Sequence, residues 1–266
     1  MHIVKVWKFD RVWSAHVVIP YSAVLQQWTR HRSFAFSVES SRAVDLNTKY
    51  SPMWRSQGDN RMFSQAPILG WRRFALDLLW EISKYNNLMY QKLFKLLGAH
   101  RQHYNLVIKP YSEVDMIVSG SPYAWNHFFH LRAKEDSGAQ AEISDIANRL
   151  NKRFSEEEEI KTKVGFIYGP YLNEPIDVNV VTQYGRDFPD QEKAIQLNQA
   201  ITMTGRTSTG KTGLLASEDS SIRFVKRAID KEHASVFEHH WCPTRNKKTR
   251  SGPFVGVKTV RDLVGL

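Results

Sequence analysis

Residues 27–42 read Gln27-Trp28-Thr29-Arg30-His31-Arg32-Ser33-Phe34-Ala35-Phe36-Ser37-Val38-Glu39-Ser40-Ser41-Arg42. Arg30, His31 and Arg32 are consecutive cationic or ionisable side chains, and they repel one another unless something anionic offsets them. Two readings are open. One is a solvated basic turn. The other is an anion site, in which the planar forks of arginine and the hydroxyls and backbone N–H groups around Ser37, Ser40 and Arg42 cradle a phosphate.

Working outward, residues 2–19 alternate well enough for one or two strands, and residues 20–29 read as a short helix that Pro20 can start. Residues 50–70, with Pro52, Gly58, Pro67 and Gly70, read as a long loop. Leu78, Ile82, Tyr85, Met89, Leu93 and Leu96 recur near helical spacing, so a long helix is predicted over 71–98 with Gly98 as its stop. Residues 104–119 predict a strand or buried segment ending at Gly120. Residues 139–154 predict a helix with Ala139, Ile143, Ile146, Leu150 and Phe154 on one face. The run Glu156–Glu159 reads as a solvated face, and residues 165–198 as a long variable loop. QAITMT at 199–204 reads as a strand, and residues 218–232 as a helix with acidic residues at its start. The tail at 243–266 is basic, and irregular until 254–263. The expectation is a single α+β domain over 1–266, with a mixed or antiparallel sheet and long helices.

Composition narrows the partners. The 266 residues carry 37 Lys and Arg against 27 Asp and Glu, a net charge of +10, which favours an anionic partner. Nucleic acid and phosphorylated small molecules both satisfy that, and charge does not separate them. Eight Trp, ten Tyr and fourteen Phe call for a large core or a subunit interface. Cys242 is the sole cysteine, which excludes an intrachain disulfide and a cysteine-based metal site. No run of eighteen apolar residues exists, so no membrane partner is expected. The alternating start lacks a signal peptide's apolar stretch, and a cytoplasmic setting is expected, host cytoplasm if the source is viral.

Three further clusters bear on chemistry. His127-Phe128-Phe129-His130-Leu131-Arg132 reads mainly as core, with Arg132 either paired to a carboxylate such as Glu142 or aimed into a pocket. His233-Ala234-Ser235-Val236-Phe237-Glu238-His239-His240 invites a metal reading, but the spacing is not H-E-x-x-H and no metal is assigned. Gly205-Arg206-Thr207-Ser208-Thr209-Gly210-Lys211-Thr212 fits the P-loop pattern G-x-x-x-x-G-K-S/T, and QAITMT stands where its strand belongs. Against it, GLLASEDSS is a poor helix start, few residues follow, and no apolar strand ending in Asp lies beyond. The other reading is a Gly-rich turn with a basic tip.

Taken together and in this order, the clusters resemble flavin-dependent thymidylate synthases, the thymidylate synthase complementing protein family, particularly bacteriophage forms. The family's R-H-R, seven residues, then Ser stands here as Arg30-His31-Arg32 … Ser40, with Arg42 in its S-x-R and Gln27 three residues before the motif. FFHLRAKEDSGAQAEI resembles its L-R … A-Q-x-E-I segment, HASVFEH its H-x-S-P-F-E-H, and GRTS at 205–208 its A-R-x-S. The resemblance implies reductive methylation of dUMP to dTMP with FAD, NADPH and 5,10-methylenetetrahydrofolate, and no enzyme nucleophile. It implies a homotetramer with active sites shared between subunits, which would give the helix at 71–98 a partner. It assigns Gln27, Ser40, Ser41, Arg42 and Arg132 to dUMP, with Arg132 and Ser40 at the catalytic centre. Arg30, His31, Arg32, His127, Ser208, His233, Ser235 and Glu238 fall to the FAD and folate region.

Departures from the family pattern are equally specific. Where relatives carry N-R-L-L-E-P, this chain has Asn105-Leu106-Val107-Ile108-Lys109-Pro110, so Leu106 replaces a phosphate-gripping Arg and Arg101 or Lys109 must substitute, or the site differs. His127 replaces an Asn, Gly138 a His, Ser37 an Asn, Ala43 a Tyr and Val236 a Pro, and the spacing from Arg132 to Ala139-Gln140 is longer by two. Three alternatives follow: a flavin-dependent dUMP hydroxymethylase of the same fold, a P-loop NTP-binding protein, and a non-catalytic nucleic-acid-binding relative.

Overall fold

The computed structural model describes residues 1–55, 66–133, 139–183 and 191–266. Its centre is a four-stranded antiparallel sheet in the order β1 (His2–Lys8), β2 (Trp13–Pro20), β4 (Glu113–Gly120), β3 (Phe34–Val38). Between β2 and β3 the chain passes through a π-type turn, Tyr21–Leu25, into the short α1 (Gln26–Trp28). The predicted short helix at 20–29 is therefore present, with Pro20 closing β2 rather than lying inside the helix.

The period-2 rule of strands sorts the two central strands cleanly. Ala15, Val17 and Ile19 of β2 pair with Val118, Met116 and Val114 of β4, and all six are buried in one core. Ser14, His16, Asp115 and Ser119 point to the opposite face. That face is polar, and every one of these side chains is hydrogen-bonded. Ser14 Oγ lies 2.7 Å from Ser119 Oγ, which lies 2.8 Å from His239 Nδ1. His16 bridges Asp115 Oδ1 at 2.8 Å and the Tyr171 hydroxyl at 2.7 Å.

The apolar face is covered by α4 (Pro122–Arg132) and α5 (Ala141–Glu156). Ile143, Ile146, Leu150 and Phe154 of α5 are buried, on the face the spacing predicted, each contributing on the order of 2 kcal/mol. Gly120 ends β4 because Phe34 of β3 lies over it: a Cβ there would come within 2.5 Å of the Phe34 ring.

Helix α2 (Gly70–Leu96) matches the predicted long helix, and Gly98 stops it at φ +79°. It rests on the body through Trp80 and Leu88, with Trp80 Nε1 donating to Tyr50 O at 3.1 Å and the Ser83 and Tyr111 hydroxyls 2.6 Å apart. The short α3 (Arg101–Tyr104) follows it. No residue of α2 is fully buried, and the predicted core face, Leu78, Ile82, Tyr85, Met89, Leu93 and Leu96, is exposed in the single chain.

The second half of the chain packs against the polar face of the sheet. Strands β5 (Phe166–Ile167) and β6 (Ile176–Asp177) pair, so the span expected to be one variable loop contains a strand pair and most of a helix. That helix, α6 (Gln191–Gly205), overturns the strand expected at 199–204. Leu197, Ala200, Ile201 and Thr204 fall on one helical face and are buried, so helical spacing governs the segment, not alternation. Helix α7 (Glu218–Asp230) matches its prediction and packs on α6. Strand β7 (Trp241–Pro243) pairs with β10 (Val257–Thr259), and the short β8 (Arg250–Ser251) and β9 (Phe254–Val255) form a hairpin. Helix α8 (Val260–Val264) ends the chain behind a capping box of Thr259 and Asp262. The basic tail is thus folded onto the body, with Phe254, Val257 and Val260 almost fully buried.

Candidate functional site

Two adjoining places gather the sequence-selected residues. The first is the corner between α1 and α4. Arg132 at the end of α4 lies with its Nε 3.4 Å from Nε2 of His31, whose ring meets Phe128 edge-on. Burial lowers the His31 pKa first, and the charges of Arg132 and His127 lower it further. His31 is held neutral there, able to accept from Arg132. Burial, then the charge of Arg30, likewise lowers the Arg132 pKa. Among the described residues, no carboxylate forms an ion pair with Arg30, Arg32, Arg42 or Arg132.

Glu142 is not the partner of Arg132. It is buried on α5, where it accepts from the Tyr50 hydroxyl at 2.8 Å and from Met53 N at 2.9 Å. Its neighbour Gln140 hydrogen-bonds Gln27, tying α1 to the start of α5. Arg132 is therefore the pocket-facing arginine of the two readings.

The second place is a cavity of about 570 Å³ lined by Tyr21, Leu25, Gln26, Thr29, Val38, Glu39, Ser40, Ser41, Arg42, Gln102 and Lys109. The turn Ser40–Arg42 shapes its floor: Arg42 N donates to Ser40 Oγ at 3.3 Å, and Asn105 Nδ2 fixes the carbonyls of Ser41 and Val44 at 2.8 Å. Lys109 reaches the cavity with its ammonium 4.8 Å from the Tyr21 ring centroid. Of the two substitutes expected for Leu106, Lys109 lines the cavity; Arg101 instead bonds the Ala43 carbonyl and lies 3.5 Å from Asp45. Leu106 itself is half exposed. Glu39 and Gln102 are lining residues that the sequence reading missed. Burial raises the Glu39 pKa, the N–H of Asp115 opposes that, and the Asp115 charge adds to the rise.

Ser208 joins this region through its backbone: its carbonyl accepts from Ser40 N at 3.2 Å, and Ser37 Oγ donates to Thr204 O at 3.3 Å. The segment 205–212 lacks P-loop architecture. A helix rather than a strand leads into it, Arg206–Thr209 form a 3-10 turn ended by Gly210 at φ +65°, and α7 starts only at Glu218. The Glu39 carboxyl lies 2.8 Å from where a Cβ of Gly210 would stand, which is the wrong charge for a phosphate cradle.

The third cluster is held elsewhere. His233 and Ser235 are exposed, and Glu238 forms an ion pair with Arg261 at 2.9 Å beside a separate cavity of about 230 Å³. Within the described residues of one chain, no hydrogen bond or ion pair joins them to Arg30, Arg42 or Arg132. His127 and Arg32 are exposed near the first corner, and Gly138 lies outside the described residues. His239 and His240 are fully buried rather than metal-ligating; among the described residues no cluster suits a metal ion. Burial pushes the thiol of Cys242 up, so it is a poor nucleophile. Among the described residues no helix is long and apolar enough to cross a membrane.

With this geometry in place, the comparisons are specific. The family model of thymidylate synthase complementing proteins matches residues 14–157, which span the sheet, the Arg30–Arg42 segment and α4–α5. The chain belongs to that family, the flavin-dependent thymidylate synthases. Among solved structures, it resembles the UMP/dUMP methylase PolB from Streptomyces cacaoi bound with 5-Br dUMP, at 17% identity and TM-score 0.49, over 55% of this chain and 66% of that one. The same protein bound with 5-Br UMP matches at 16% identity and TM-score 0.47, over 55% and 69%. The chain therefore spans about two thirds of the length of these structural relatives. No curated protein matches the sequence.

Proposed function

We propose that the chain methylates dUMP to dTMP, with FAD as cofactor and NADPH and methylenetetrahydrofolate as co-substrates. The observation that carries this reading is the adjacency of two unneutralised cationic sites on one family-matched segment: the Ser40–Ser41–Arg42 cavity with Lys109, and the Arg30–His31–Arg132 corner. The cavity is large enough for a nucleoside monophosphate. Its phosphate fits the Arg42–Lys109 end, where hydroxyls and a guanidinium converge. Glu39 at the other end repels phosphate and accepts from a sugar hydroxyl. Arg132, half-buried and with no carboxylate partner among the described residues, is placed to stabilise negative charge on a pyrimidine. His31, kept neutral, holds Arg132 in orientation without adding a repelling charge.

The Arg30–His31 corner suits the phosphates of FAD because nothing described there neutralises it. Bound FAD supplies the reducing equivalents that methyl formation requires. Ser208 lies against Ser40 in the single chain, whereas His233, Ser235 and Glu238 would reach a site only from a neighbouring subunit. The exposed apolar face of α2 supports such packing: thirteen large apolar residues between Leu69 and Leu97 are water-exposed, a surface that favours burial against copies of the chain in a homotetramer.

The test is a dUMP-dependent oxidation assay on the reduced, FAD-loaded protein, followed by product mass. A mass of dTMP supports the reading. A 5-hydroxymethyl product converts it to the hydroxymethylase, and a colourless protein indifferent to dUMP removes both.

A further inference from the structure

Helix α4 presents a surface that neither the core nor the Ser40–Arg42 cavity uses. Its register is fixed at the start, where Ser121 Oγ accepts from Ala124 N at 3.2 Å and Pro122 occupies the first turn. Ala124, Trp125, Phe128 and Phe129 consequently face the core. Tyr123 and His127, one turn apart, face away from it. Tyr123 is 79% exposed, and its ring plane lies within 2° of that of His127, with centroids 6.3 Å apart. An isolated exposed tyrosine needs no explanation. Two parallel exposed rings on one ridge form an extended flat π surface, and this one ends at a charged corner. His127 is close enough to act on His31, which contacts Arg132, which feels Arg30. No carboxylate among the described residues pairs with either arginine. A flat aromatic face ending in uncompensated cations complements a planar heterocycle that carries anionic groups.

We infer that Tyr123, with His127, is a stacking platform for a planar heterocycle of a phosphorylated cofactor, with Arg30 and Arg132 taking its negative charge. This rests on the FAD reading above and adds to it a ring-binding residue, Tyr123. Two rings of such a cofactor have the required flatness, the isoalloxazine and the adenine.

The test uses the full chain titrated with FAD, riboflavin and AMP, by quenching of flavin fluorescence and by calorimetry. Tyr123→Ala and Tyr123→Gln weaken FAD roughly 5- to 150-fold, the range for losing one base–aromatic stack, whereas Tyr123→Phe keeps wild-type affinity. Flavin bound to the Ala variant is also brighter, because the quenching ring is gone. A loss shared by FAD and riboflavin assigns the isoalloxazine to Tyr123; a loss shared by FAD and AMP but not riboflavin assigns the adenine. Wild-type affinity in both the Ala and Gln variants overturns the inference, as does an equal loss in Tyr123→Phe. A change in particle size with unchanged flavin affinity also overturns it, by making Tyr123 a subunit contact. If the wild-type chain binds none of the three ligands, the functional reading itself fails; if it binds FAD and the variants match it, only the platform fails.

Discussion

Acid should destabilise this fold through two adjacent histidines well before its carboxylates titrate. His239 and His240 are both fully buried. Desolvation lowers His239 from 6.5 to about 3, with the neighbouring His240 adding to the effect. Desolvation lowers His240 to about 4, and its bond to the Pro170 carbonyl at 3.0 Å opposes this. Because that carbonyl can only accept, Nε2 of His240 carries the proton of the neutral ring and Nδ1 has no partner. Below pH 6.5 the unfolded chain binds a proton at each histidine and the folded chain does not, so stability falls as pH falls. The contribution is complete above 6.5 and drains away toward the folded values of about 4 and 3. Each histidine then contributes a slope of about 1 kcal/mol per pH unit, and the pair about 4 kcal/mol between pH 7 and 5, a large share of a typical domain's stability. The assay is the urea midpoint, followed by tryptophan fluorescence, at steps of pH for wild type and His240→Gln. Glutamine keeps an N–H for the Pro170 carbonyl and removes the titration. The variant should show a slope between pH 6.5 and 5 shallower by about one proton's worth. Parallel curves would mean that His240 is not a buried neutral base, and the argument for a sealed sheet face would go with it.

Other expectations are more direct. Arg42→Ala should weaken dUMP binding about 10- to 100-fold by calorimetry, the cost of one charged hydrogen bond, and Lys109→Ala should do the same; unchanged affinity in both moves the phosphate out of this cavity. Glu142→Ala strands the Tyr50 hydroxyl and the Met53 amide and should cost about 2–4 kcal/mol in denaturant unfolding, while Glu142→Gln, which keeps an acceptor, should cost distinctly less. Replacing Ile82 and Met89 on the exposed face of α2 with Glu should lower the particle mass in light scattering and leave the fold intact; an unchanged mass would place the subunit contacts elsewhere.

What the sequence made legible follows from whether the governing physics is local. The long helix at 71–98 and the helix at 139–154 announce themselves because their apolar residues repeat at helical spacing, a pattern written in neighbouring positions. Even so, the same pattern on α2 does not say what covers it: Leu78 and Ile82 look like core residues, yet each is 49% exposed in the single chain. The misread segment, 199–204, fails for a related reason. Six residues are too few to separate alternation from a helical face, and its β-branched Ile201, Thr202 and Thr204 tip the balance toward strand until Leu197 is seen one turn earlier on the same side. The tail at 243–266 reads as irregular because its strands are two or three residues long, and pairing with β7, not propensity, holds them.

The site divides along the same line. Arg30, His31 and Arg42 lie in one stretch, so their grouping is readable from spacing. The pairing of Arg132 with His31 depends on α4 crossing back over α1, a separation of 101 residues that no local signal encodes. Lys109 reaches the cavity for a similar reason: the turn before β4 carries it there, and Tyr21 steadies its ammonium. The displacement of the cation from position 106 to position 109 therefore moves the charge along one helical turn without removing it from the cavity, which is how an apolar Leu106 is compatible with an anion site. Glu238 marks where a single chain stops being enough. Its ion pair with Arg261 satisfies it locally. For Glu238 to serve a flavin or folate, either that pair must break or its role must be to hold the 233–238 turn while His233 and Ser235, both exposed, face a neighbouring subunit. The second alternative costs no buried charge, and Arg261→Ala separates the two: it should loosen the turn and lower thermal stability in either case, but impair flavin binding only if that turn is presented across a subunit boundary.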